Sequence, residues 1–201
     1  MLTTSRLILA ALLVLLEAPG AQAQVAVSLL TRLDRYWGGT AATQSDGTVL
    51  RLRPFRPDLF GARLSYTTGA TRIGVGAGLS WPNYAVEGSD GNAISFAGSN
   101  KQLELDVEFA RRLLRAGDRA RVWGYVSPLL SHWQLDDSDR WSIGGAVGLE
   151  FEVDLTRSLA MQSRVSLAAQ SAAVEDSALP EGTSNGGIYR RSIGIGVRYR
   201  L

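Results

Sequence analysis

His132 is the single histidine of the chain, and it stands next to Ser131. A serine activated by a histidine base is one way to build an acyl-transfer nucleophile, so the pair raises the question of ester or lipid hydrolysis. If Ser131-His132-Trp133-Gln134 is part of a strand, the answer is no, because adjacent strand residues point to opposite faces and do not share a hydrogen bond. With one histidine and no cysteine, the usual zinc ligand sets are also missing. Asp136, Asp137 and Asp139 offer hard oxygen ligands of the kind calcium takes, but without the glycine and distal glutamate of an EF-hand loop. Gly74-Val-Gly-Ala-Gly78 and Gly194-Ile-Gly196 lack the GxGxxG spacing ahead of a helix that cradles phosphate. The expectation is a chain without catalytic residues, cofactor or metal.

The charged residues show another pattern, with a spacing of two. Glu104, Asp106 and Glu108 form one such set and Glu150, Glu152 and Asp154 a second, while Arg198 and Arg200 repeat the spacing with the opposite sign. On a strand this spacing puts every member on one face. Arg164 and Arg190 fall on the same polar register of their own segments. Counting back from Thr156-Arg157 sets Glu150 and Arg164 at one height on adjacent strands, close enough for a cross-strand pair.

Strands must position these charges, and the sequence supplies them. Period-2 segments run near 59–68, 71–82, 101–113, 120–134, 141–155, 158–173 and 187–201. The connections 68–70, 114–119 and 156–157 are short, whereas 83–100 and 174–186 are long and polar, with 134–140 in the same series. Seven strands leave an up-and-down barrel one short of an even number. Residues 25–37 and 48–55 compete for the missing place; Pro54 counts against the second, so 25–37 is taken as the first strand and 38–58 as a surface loop.

Ahead of these strands, Arg6, the apolar run Leu7 to Leu16 and Ala21-Gln22-Ala23 have the order of a cleavable signal peptide over 1–23. That leaves 24–201 as one domain, without a later stretch long and apolar enough to span a membrane as a helix. A membrane role would therefore fall to strands. The net charge of +2 comes from scattered residues and shows no contiguous basic face, which argues against nucleic acid as a partner.

Each strand separates its chemistry by face. In 141–155 the odd positions run from Trp141 through Ile143, Val147 and Phe151 to Leu155, and the even ones from Ser142 through Gly144 and Gly148 to Asp154. Strand 120–134 carries apolar residues on both faces, so its pattern leaves the orientation open. Two barrels show such alternation, a membrane barrel with a polar lumen and a soluble periplasmic barrel around an apolar ligand. Aromatic residues favour the first. Trp81, Trp133, Trp141 and Tyr189 gather beside the long loops, and Tyr66, Phe109, Trp123 and Tyr199 beside the short turns, as two girdles would.

The chain from 24 to its end resembles the small eight-stranded outer-membrane barrels of Gram-negative bacteria, those of the OmpA and OmpX type. Its last residues, with Ile195, Val197, Tyr199 and Leu201 alternating, resemble the C-terminal signal by which such barrels are recognised for assembly, although that signal usually ends in Phe. The resemblance implies an all-β, antiparallel, up-and-down transmembrane barrel of eight strands behind a cleavable signal peptide. It also implies a monomer in contact with outer-membrane lipid and lipopolysaccharide, delivered by the barrel assembly machinery. The lumen would hold the Glu and Arg residues named above as a plug, with loops 38–58, 83–100 and 174–186 carrying any specificity. A narrow pore gated by the same network is the alternative that OmpA-type barrels suggest. A lipid-modifying enzyme is a further alternative, although the His-x-Ser pattern of the lipid A deacylases is not present in Ser131-His132-Trp133-Gln134.

Overall fold

The computed structural model describes residues 24–43, 46–55, 58–88, 93–96, 100–135, 138–172, 183–184 and 186–201. The signal peptide expected over 1–23 lies outside them. In chain order the strands are β1 (Gln24–Gly38), β2 (Thr40–Thr43), β3 (Val49–Phe55), β4 (Asp58–Thr68), β5 (Thr71–Ser80), β6 (Asn83–Glu87), β7 (Ala93–Phe96), β8 (Lys101–Ala116), β9 (Ala120–Leu135), β10 (Ser138–Asp154), β11 (Leu159–Gln170), β12 (Thr183–Ser184) and β13 (Ile188–Arg200).

Eight of them, β1, β4, β5, β8, β9, β10, β11 and β13, form a closed antiparallel barrel in up-and-down order. β1 and β13 close it, in a register that runs from Ala26 opposite Arg200 to Gly38 opposite Ile188. Closure leaves no strand edge, the condition for placing strand backbone in lipid. The alternation of the sequence now has a direction. Glu108, Glu150, Glu152 and Arg190 are buried inside, while Leu33, Ile143 and Ile193 stand outside at 64%, 70% and 65% exposure. A soluble barrel around an apolar ligand would reverse these faces.

Tyr189 and Tyr199 mark the two ends of the apolar exterior on β13. Their separation along a strand tilted by about 40°, at about 3.3 Å per residue, gives a band about 25 Å tall, the height of a membrane's apolar layer in outer-membrane barrels. Trp81, Phe109 and Trp141 also stand outward and exposed, and Tyr66 is half-buried on the outward register of β4.

Strand β9 corrects the expectation for two girdle residues. Its odd positions face inward, so Trp123 and Trp133 are 2% and 0% exposed and belong to the interior. Near Arg112 and Leu114 the pairing of β8 with β9 shifts register, so that Leu113 and Leu114 are both exposed.

The expected loop at 38–58 is not a plain loop. β2 and β3 lie within it, and they join β6, β7 and β12 in a second sheet ordered β12-β2-β3-β6-β7 at the long-loop end of the barrel. Residues 48–55 are thus a strand that the barrel does not use. Pro54 fits because pairing of β3 with β2 stops at Leu52, leaving Pro54 paired only with β6, where it faces Tyr84.

Candidate functional site: a charged lumen beneath a five-stranded crown

On the inward positions of the barrel strands eight arginines (32, 63, 72, 121, 164, 190, 198 and 200) and seven carboxylates (34, 104, 106, 108, 150, 152 and 154) take part in ion pairs, while Arg112 and Arg140, on the same inward registers near the two mouths, have no ion pair among the described residues. They stack in three tiers along the barrel axis.

Nearest the long-loop end, Arg32 donates from Nε to Asp34 Oδ1 at 2.7 Å and from Nη1 to Glu104 Oε1 at 2.8 Å. Arg190 donates to the other oxygen of the same glutamate. Glu104 is therefore held between two guanidinium groups that come from β1 and β13.

The middle tier gathers on Glu108, which is 0% exposed. Arg72 reaches its Oε1 at 2.9 Å, Arg63 its Oε2 at 2.8 Å, and Arg164 the same Oε2. Arg72 extends to Glu150 at 2.7 Å, and Arg164 lies 3.5 Å from that residue, which it faces in the register of β10 with β11. Arg63 also pairs with Asp106, which accepts a hydrogen bond of 3.1 Å from Ser127 Oγ.

Towards the short turns, Glu152 accepts from Arg121 at 2.6 Å, Arg198 at 2.5 Å and Arg200 at 2.7 Å. Asp154 pairs with Arg121 and Arg200.

Buried charge is costly in a low-dielectric interior unless each group finds a partner and its remaining hydrogen bonds. Here most carboxylates are shared by two or three arginines, whose forked donors can serve several acceptors at once. Aromatic rings fill the space between tiers. The Arg72 guanidinium lies 4.7 Å from the Trp123 ring and that of Arg164 lies 4.2 Å from the Tyr125 ring. Glycine makes room for the crowding. A Cβ on Gly76 would collide with Asp106 Oδ1, and one on Gly148 would lie 2.6 Å from Tyr125 Oη.

The lumen has little free space. Between the upper and middle tiers is a cavity of about 40 Å³, and a vestibule of about 310 Å³ opens at the short-turn mouth beside Arg112, Arg121, Arg198 and Arg200. Tyr36, Trp133 and Ile188 close the other end as a buried apolar cluster, with Tyr36 and Trp133 edge to face at 6.1 Å. This roof is why Trp133 points inward.

The crown is fastened to this roof. Arg53 on β3 donates to Glu87 on β6 at 2.8 Å and to the Tyr36 backbone carbonyl at 3.1 Å. Tyr84 and Ala85 of β6 are buried, and burial pushes the Tyr84 phenol well above its usual range, so it stays neutral.

Ser131 and His132 point apart. Ser131 is buried in the lumen, whereas the His132 ring is partly exposed and lies 4.7 Å from that of Trp141. They do not form a nucleophile and base. Among the described residues no three acidic, His or Cys side chains gather as metal ligands; Asp136 and Asp137 lie outside those residues.

All ten charged residues singled out from sequence face the lumen. Arg32, Asp34, Arg63, Arg72 and Arg121 were missed. The first four share the polar register of their strands and could have been read from it; Arg121 sits on β9, whose orientation the pattern left open. Ile195, Val197, Tyr199 and Leu201 face outward and are exposed.

No protein-family model matches this chain, and no curated protein does. Solved structures do. Neisserial surface protein A is 12% identical, with 89% of this chain and 99% of that chain covered at a TM-score of 0.55. A major outer membrane protein of Thermus thermophilus is 10% identical over 88% and 99% at 0.49. The N-terminal barrel domain of Pseudomonas aeruginosa OprF is 14% identical over 89% and 100% at 0.45. The fold of the chain is that of the small eight-stranded outer-membrane barrels.

Proposed function

We propose that this chain is a non-enzymatic scaffold of the bacterial outer membrane, a barrel whose charged lumen is a plug and whose crown is the surface that meets other molecules. The observation that carries the proposal is the ion pairing of fifteen lumenal charges, which leaves a cavity of only about 40 Å³ between the upper and middle tiers. A conducting path needs mobile ions to replace protein partners at each tier, and three-way pairing at Glu108 and Glu152 opposes that exchange. The apolar roof of Tyr36, Trp133 and Ile188 adds a second barrier.

The same reading gives the outward alternation of Ile195, Val197, Tyr199 and Leu201 two duties, facing lipid and presenting the assembly signal. The barrel is proposed to act as a monomer.

Single-channel recording of the refolded chain in a planar bilayer tests the plug. An inserted barrel should be silent, and Arg164→Gln should leave it silent. Discrete current steps that change with Arg164→Gln would overturn the plug in favour of a narrow pore.

A further inference from the structure

Two arginines on the outside of the barrel break the rule that holds inside it. Arg35 on β1 and Arg191 on β13 are exposed on the apolar face, and they are direct Cα partners in the strand register. Directly opposed like charges destabilise a strand pair. Among the described residues, no carboxylate lies within ion-pair distance of either, although eight arginines of the lumen each have at least one. The next outward pair along the same two strands, Trp37 and Tyr189, is stacked at 6.0 Å, which places the arginines just inside the aromatic boundary at the long-loop end. Two unneutralised guanidinium groups at that depth are complementary to a phosphate, which Arg binds through paired donors.

An apolar path leads away from the pair. A surface groove of about 1230 Å³ begins at Arg35 and Arg191 and includes Leu167, Val147, Val126 and Phe109. These residues are successive register partners across β13, β11, β10, β9 and β8. The four strand spacings from Arg191 to Phe109, of about 4.8 Å each and inclined at about 40° to the membrane plane, descend about 12 Å towards the short-turn end. That is about the depth of one leaflet of the apolar layer about 25 Å tall that this barrel spans.

We propose that Arg35 and Arg191 clamp the phosphate of an acylated, phosphorylated lipid in the leaflet at the long-loop end, with one of its chains lying in this groove. The assignment rests on the barrel standing in the outer membrane with that end outward.

Native mass spectrometry of the refolded barrel tests it, with bisphosphorylated lipid A as the probe. The parent chain should retain one probe molecule, and the R35Q/R191Q double variant should bind it about thirty-fold more weakly, as expected for the loss of two interfacial arginines. Dephosphorylated lipid A should bind the parent with the same loss, and inorganic phosphate should not compete. Arg111→Gln, at the far end of the groove, should bind as the parent does. Equal binding by R35Q/R191Q overturns the clamp. Full competition by inorganic phosphate would make it a free-anion site instead, and lipid-free dimers that separate in R35Q/R191Q would assign the face to a second copy. Conductance of R35Q/R191Q is read in parallel, so that failure of the clamp with a silent barrel leaves the plug standing.

Discussion

The inner and outer walls of this barrel both use arginine, in opposite electrostatic settings. Inside, Glu108 alone serves Arg63, Arg72 and Arg164. Outside, Arg35 faces Arg191. The inner residues are fixed by partners the chain itself provides, so they contribute to the coherence of the fold. The outer pair has no such partner among the described residues, so its energy depends on the medium around it. A charge satisfied within the protein reads as structure, and one left for the surroundings reads as a binding group.

The largest effect should come from breaking the inner wall. Glu108→Ala would take a shared carboxylate from Arg63, Arg72 and Arg164 and leave them only Asp106 and Glu150 as close partners, at a cost of about 3 to 5 kcal/mol. The heat-modifiable band of the refolded barrel should be lost or its urea midpoint should fall steeply, and an unchanged midpoint would dissolve the contrast between the walls. Arg53→Ala tests the fastening between barrel and crown. Losing its bonds to Glu87 and the Tyr36 carbonyl should cost about 1 to 2 kcal/mol locally. Hydrogen exchange should quicken in β3 and β6 while the barrel amides stay protected. The smallest effect belongs to the outer wall. In zwitterionic detergent R35Q/R191Q should leave stability unchanged or raise it by about 0.5 kcal/mol, by removing opposed like charges. A marked loss of stability there would mean that the outer pair is structural too.

Alternation made the barrel legible because an inside-out protein must keep one chemistry on each face of every strand. Glu150 and Arg164 could be placed opposite one another by counting from a turn, and they are register partners. β9 resisted this reading because its inward face carries Trp123, Tyr125, Leu129 and Trp133, whose bulk fills the lumen where β5 contributes glycines. Arg121, Ser127 and Ser131 share that inward register and were the polar clue, outweighed by the aromatics around them. The crown had no periodic signal. Its strands are as short as two residues and come from three separate connections, so their pairing is a long-range fact that local pattern does not carry.

The crown also ties together connections from distant parts of the barrel beneath it. β12 leaves the connection between β11 and β13, β2 that between β1 and β4, and β6 that between β5 and β8. The pairing of β12 with β2 bridges the seam where the first and last barrel strands meet. In the closed barrel β12 and β2 stand side by side because β13 and β1, which they adjoin in the chain, are paired. The crown thus depends on a closed seam beneath it, and an antibody against its assembled surface should count closed barrels and ignore unfinished ones.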